Sequence, residues 1–152
     1  MTIENWKYKD FVAANNGRFT ALDFIHAVSS KIDLPYDFVM CIGSLISPDM
    51  VLFDGVVVAS NWFDEEKYRE RRRTGMAPGQ AQAWSNLVEI TDIFNGISFE
   101  SAKELAGFLA RTWDGVIEYK FPGEVVRSSI IVEEDSCEVF VTIGKFSDEG
   151  NV

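Results

Sequence analysis

Any catalytic triad, cysteine–histidine pair or multi-histidine metal site in this chain would have to be built around His26, the only imidazole. His26 falls on the flank of a helical stripe made by Phe24, Ile25 and Val28. A boundary or exposed structural histidine is expected there, because no nucleophile motif accompanies it. Ser44 sits in Ile42-Gly43-Ser44-Leu45-Ile46, which lacks the second glycine of a nucleophile elbow. Gly75-Met76-Ala77-Pro78-Gly79 is too short for a phosphate loop, and Gln80 stands where such a loop requires lysine. Cys41 and Cys137 are far apart in sequence, with no second pair to complete a zinc knuckle or redox motif. Both are expected to be free thiols in a reducing compartment, Cys41 buried within its apolar run. No metal site and no cofactor are expected.

Carboxylates are the abundant reactive type. Asp54, Glu89 and Asp92 lie close to expected strands, where a paired acid–base site or a metal-assisted pocket could form. In a chain with 24 Asp and Glu, acids near strands are expected by chance, so a small enzyme of this kind is the alternative reading. The basic residues concentrate in one run, Lys67, Arg69, Arg71, Arg72 and Arg73, interleaved with Asp64, Glu65, Glu66 and Glu70. That pattern describes a solvated helix with internal ion pairs and cations near its C-terminal end. An arginine-rich end could also dock a phosphate, RNA or an acidic protein. Trp6 and Trp113 fit helical core stripes, whereas Trp62, between Asn61 and Phe63, suits either a cover for a sheet or an anchor for a partner.

Charge narrows the classes of function. With 14 Lys and Arg against 24 Asp and Glu, the formal net charge is −10. Such a field opposes nucleic acid and anionic lipid and attracts cationic partners. The 47% apolar and 13% aromatic content places this charge on a folded body rather than a disordered tail. A length of 152 residues suits one core, so the expectation is a single domain over residues 1–152. The first ten residues lack the basic and apolar regions of a secretory signal, and the most apolar stretch, Phe38 to Ile46, is well short of the roughly 20 residues that span a bilayer. The expected location is cytoplasmic.

These side chains must be positioned by a mixed set of elements. Ile3, Trp6, Phe11 and Val12 start an amphipathic helix that stops near Asn15-Asn16-Gly17. Thr20 caps a second helix, with Asp23 at its third position and Ala21, Phe24, Ile25, Val28 and Ile32 on one face. Tyr36 to Ile46 fits a third helix or a buried strand, and Leu87 to Phe94 also leaves strand and helix open. Met50 to Phe53 and Val56 to Ala59 around Asp54-Gly55 predict a β-hairpin. Helices are expected from Asp64 to Arg73, from Pro78 to Ser85, and from Ser98 to Tyr119 or Lys120. A second hairpin, Val125 to Val132 and Cys137 to Ile143, surrounds the acidic bend Glu133-Glu134-Asp135-Ser136. The order predicts an α+β fold with a mainly antiparallel sheet of four to five strands, built from the two hairpins and packed by several helices.

The succession of Pro48-Asp49, Asp54-Gly55, Asn86 through Asp92-Ile93-Phe94, Leu105-Ala106 to Trp113, and Phe121-Pro122-Gly123 resembles small bacterial proteins of uncharacterised function. In size and acidity the chain is similar to immunity proteins that neutralise cationic toxins. The resemblance implies fold and bacterial origin more than activity. The leading expectation is a non-catalytic acidic protein that occludes a basic protein partner, carboxylates steering it and a few aromatics forming a dry centre. The candidate partner-binding residues are Glu133, Glu134, Asp135 and Glu138 at the second hairpin, Asp64, Glu65 and Glu66 as a second cluster, and Trp62 as an anchor. A structural module that forms homo-oligomers is the third class.

Overall fold

The computed structural model describes residues 2–147, and the chain divides into two compact units, Met1–Cys41 and Ile42–Val152. The first unit contains a single 3-10 turn, Ile3–Asn5, then α1 (Tyr8–Ala14), α2 (Ala21–Ser29) and the opening turns of α3 (Tyr36–Ile46). Local chemistry sets these helices. Asn16 (φ 55°) and Gly17 (φ 77°) adopt left-handed backbone after α1, and the Gly17 amide donates to the Val12 carbonyl at 2.9 Å. Thr20 and Asp23 form a reciprocal capping box: the Thr20 hydroxyl accepts from the Asp23 amide, and the Asp23 carboxylate accepts from the Thr20 amide at 2.8 Å.

Phe11 is the hub of an aromatic knot, with ring centroids 5.1 Å from Trp6, 5.2 Å from Phe19 and 5.4 Å from Phe24. No described residue of this unit is buried. The expected stripe on α2 is therefore corrected: Phe24 and Val28 are half-buried, but Ile25 is 61% exposed and Ala21 and Ile32 are exposed too. The knot engages only one edge of a nine-residue helix, leaving the rest of its apolar side chains outside. The ambiguous Tyr36–Ile46 run is helix. Cys41 is exposed rather than buried, as are Phe38, Val39 and Met40 before it.

The second unit carries the remainder of α3, then β1 (Met50–Phe53), β2 (Val56–Ala59), α4 (Glu65–Arg73), α5 (Pro78–Asn86), β3 (Val88–Glu89), α6 (Ile90–Ile93), α7 (Phe99–Lys120), β4 (Ser128–Glu133) and β5 (Glu138–Ile143). Asp54 (φ 52°) and Gly55 (φ 78°) make the two-residue turn of the first hairpin, in register Met50↔Ala59 to Phe53↔Val56. The second hairpin pairs Ser128↔Ile143 through Glu133↔Glu138. Leu87 to Phe94 divides between the two forms open to it: a two-residue strand followed at once by a single turn of helix.

The fold is α+β, but the single sheet of four to five strands is corrected to two antiparallel sheets, β1-β2 and β3-β5-β4. The reason lies at the outer edge of β2. There the Val57 carbonyl accepts from Gln82 Nε2 at 3.1 Å and from Asn86 Nδ2 at 2.9 Å, and the Ala59 amide donates to Asn86 Oδ1 at 2.9 Å. Two side-chain amides of α5 thus satisfy the edge that a third strand would have used.

Against these sheets α7 lays Ala102, Ala106, Leu109, Trp113 and Ile117, all buried, in one core with Met50, Val57, Val139, Val141 and Ile143. Complete burial of each large apolar side chain contributes about 1.5–3 kcal/mol. The Trp113 indole donates to the Leu45 carbonyl at 2.8 Å, joining α7 to the end of α3, and Lys120 joins α7 to Asp49 and to the Met50 carbonyl at 2.9 and 2.7 Å. Gly144 (φ 101°) is required after β5, since a Cβ there would lie 3.1 Å from the Gln82 side chain and 3.4 Å from the Gly79 carbonyl.

Candidate functional site

The tip of the second hairpin gathers the expected carboxylates, Glu134 and Asp135 on the turn and Glu133 and Glu138 at the strand ends that flank it. Glu133, Glu134 and Asp135 are exposed and Glu138 is half-buried. β-sheet register sets Glu133 directly opposite Glu138, a like-charge pair that opposes the ladder it belongs to. Glu138 is steadied by the Ser136 hydroxyl, which donates to it at 2.9 Å, and Cys137 closes the turn with a positive φ of 55°. Lys103 is taken up by Glu100 at 2.6 Å, and among the described residues no ion pair reaches the tip. The Lys103 ammonium titrates above its ordinary value, first because it donates to Glu100, with the Glu134 charge adding to the effect.

Asp64, Glu65 and Glu66 have a different character. Asp64 caps α4, accepting from the Lys67 amide at 3.1 Å, and Glu65 pairs with Arg69 at 2.7 Å. Among the described residues, Glu66 alone of the three has no such partner. The basic run carries internal ion pairs, Arg73 with Glu70 at 2.7 Å beside Arg69 with Glu65, while Arg72 reaches outside it to Asp54 of the first hairpin at 3.3 Å. Asp54 also accepts from the buried Tyr68 hydroxyl at 2.8 Å. Its carboxyl is held below the usual carboxylate range by that hydrogen bond and by Arg72. Desolvation first, and then the hydrogen bond to Asp54 and its charge, push the Tyr68 phenol up to about 12. A groove of about 730 Å³ opens between Phe53, Tyr68, Arg69 and Arg73, but its cations are already matched by Asp54, Glu65 and Glu70.

Trp62 is half-buried, its ring 5.7 Å from Trp113, and its indole N–H is sealed from solvent without a hydrogen bond. It serves as a cover for α7 and as one wall of a second cleft, of about 460 Å³. The exposed Trp84 of α5, 46% accessible, forms another wall. α4 brings Lys67 and Arg71 to this cleft, one helical turn apart, while β3 and α6 bring Glu89 and Asp92. The four belong to separate segments, and only the i,i+4 and i,i+3 spacings within each segment were visible in the sequence. Asp54, the third acid expected near a strand, is engaged instead with Tyr68 and Arg72.

His26 is exposed on α2. Among the described residues, no three His, Cys, Asp or Glu side chains gather as a metal site would require, and no helix is long and apolar enough to cross a membrane. Compared with family profiles, curated proteins and solved structures, the chain has no significant match.

Proposed function

We propose that this chain is a non-catalytic binding protein that occludes a basic protein partner, in the manner of the toxin-immunity proteins it resembles in size and acidity. The observation that carries this reading is the second hairpin tip, where Glu133 faces Glu138 across the ladder and Glu134 and Asp135 stand exposed beside them. Like charges held opposite one another cost stability in the free chain, and a partner's Lys or Arg would relieve that repulsion on binding. Asp64 and Glu65 are less suited to the role because they already cap and pair α4. Trp62, packed on Trp113 and the core, is less suited to anchoring a partner.

The test replaces Glu133, Glu134, Asp135 and Glu138 together by Gln and Asn, and separately replaces Asp64, Glu65 and Glu66. A basic partner captured from the native host at low salt is then measured against each variant over a range of salt. The tip variant should associate about tenfold more slowly at low salt and lose its salt dependence, while the α4 variant changes little. Unchanged association by the tip variant would sink the proposal for this surface.

A further inference from the structure

We infer that the cleft between α4, α5 and α6 is a binding site for a small zwitterion with an apolar side chain, of the class of a free α-amino acid. The site shares no residue with the acidic tip. Charge of both signs lines it. Lys67 and Arg71 stand on α4, with the capping Asp64 beside them, and Glu89 and Asp92 stand on the β3–α6 segment. Among the described residues, no ion pair within 4.0 Å joins either cation to either acid.

Each side is also poorly neutralised within itself. Among the described residues, Arg71 is the one arginine of its run without a carboxylate partner. Its guanidinium lies 5.9 Å from the Trp84 ring centroid, a contact that orients the cation without cancelling its charge. Lys67 reaches Asp64 only at 3.9 Å. Among the described residues Glu89 has a single long hydrogen bond, accepting from the Thr91 hydroxyl at 3.5 Å, and Asp92 is exposed. A cleft with unmet cations on one side and unmet carboxylates on the other matches a ligand that carries both charges. The carboxylate would meet Arg71 and Lys67, and the ammonium would meet Glu89 and Asp92.

The remaining walls select what lies between those charges. Trp84 and Ile93, 46% and 53% exposed, offer apolar surface to the cleft, the Trp84 ring being met also by Phe146, with centroids 4.9 Å apart, and by Arg71. A volume of about 460 Å³ falls in the range of roughly 300–1,000 Å³ usual for small-molecule sites. An aliphatic or aromatic side chain would bury that surface, with the indole faces favouring an aromatic one.

The experiment follows the indole N–H signals of the full chain by NMR during addition of L-phenylalanine. Parallel arms use 3-phenylpropanoate, which lacks the ammonium, and L-phenylalaninamide, which lacks the carboxylate. The Trp84 and Trp62 signals should move saturably with phenylalanine, and each truncated probe should bind about tenfold more weakly, as loss of one charge-assisted contact implies. Arg71→Gln, and separately Glu89→Gln with Asp92→Asn, should each weaken phenylalanine to a similar degree while circular dichroism is unchanged. If a variant loses its fold, the three probes on the unaltered chain still decide the matter. Absence of saturable movement up to about 20 mM, which excludes even a weak millimolar site, would overturn the inference. So would equal binding of 3-phenylpropanoate, which identifies an anion site, or equal binding of the amide, which identifies a cation site.

Discussion

The two units of this chain are held by different physics. In the first, a capping box, a left-handed helix stop and an aromatic knot fix α1 and α2, and no described side chain is buried. In the second, α7 and two sheets enclose Trp113, Leu109, Ile117, Val139, Val141 and Ile143 completely. Charge is divided as unevenly. Lys7, Lys9, Arg18 and Lys31 nearly balance Glu4, Asp10, Asp23, Asp33 and Asp37 in the first unit, so the second carries almost all of the net −10. The difference teaches where a like-charge pair can be kept. Left-handed non-glycine backbone occurs in both units, at Asn16 and at Asp54 and Cys137, whereas Glu133 opposite Glu138 lies on a hairpin whose strands are fastened to the large core.

The largest test of this contrast is Trp113→Ala. Removing a fully buried indole that also donates to the Leu45 carbonyl should cost about 3–5 kcal/mol, read as a fall in the urea midpoint. Phe11→Ala removes the hub of the knot in the first unit, yet should change the transition of the second unit by less than about 0.5 kcal/mol. NMR signals from each unit separate the two effects. A loss from Phe11→Ala as large as that from Trp113→Ala would break the comparison, because it would show one cooperative core spanning the chain.

Acid and alkali sharpen the same contrast more gently. Each unit has a carboxyl held below the ordinary aspartate value of 3.8: Asp23 chiefly by the Thr20 amide, and Asp54 chiefly by the Tyr68 hydroxyl and then by Arg72. A depressed folded value means that each carboxylate adds stability fully present above the ordinary value of 3.8 and lost as pH falls through the folded value. Asp23 bonds three residues away, so its protonation should fray α2 alone; Asp54 reaches 14 and 18 residues along the chain, so its protonation should loosen the first hairpin from α4. Amide exchange against pH distinguishes these outcomes. At the other extreme Tyr68, raised from 10.0 to about 12, favours the folded state fully below pH 10, and that contribution is lost as pH rises towards about 12. Tyr68→Phe should remove this alkaline limb. Its persistence in the variant would assign the limb to another group.

How much of this was legible depended on how local each determinant is. Asp54-Gly55 between two β-branched runs specifies its hairpin, and Thr20 with Asp23 specifies its cap, because all the interacting atoms lie within a few residues. The separation into two sheets was not legible, since it depends on Gln82 and Asn86 reaching the edge of β2 from more than twenty residues away. The same holds for exposure: Ile25 and Cys41 lie in apolar patterns that fit burial, but no partner surface covers them. At the candidate sites, the acidic tip follows from one contiguous bend. The cleft does not, because Arg71, Trp84 and Asp92 come together only through the packing of α4, α5 and α6.

The smallest expected effect is also the most pointed, because its sign is unusual for a substitution in a folded chain. Glu133→Gln removes one of two carboxylates that β-sheet register holds face to face and should stabilise the second unit by about 0.2–1 kcal/mol. The gain should fade in 1 M salt, where the screening length falls to about 3 Å, and this marks it as electrostatic rather than a matter of strand propensity. Asp33→Asn, in the nearly balanced first unit, is the control and should produce no comparable gain. Urea titrations of both variants at low and high salt provide the measurement. If Glu133→Gln is neutral or destabilising at low salt, the tip carries no stored repulsion, and relief of that repulsion cannot help to hold a cationic partner. If it is stabilising and also slows association, one carboxylate is costing the free fold what it contributes to binding, as a site retained for a partner would do.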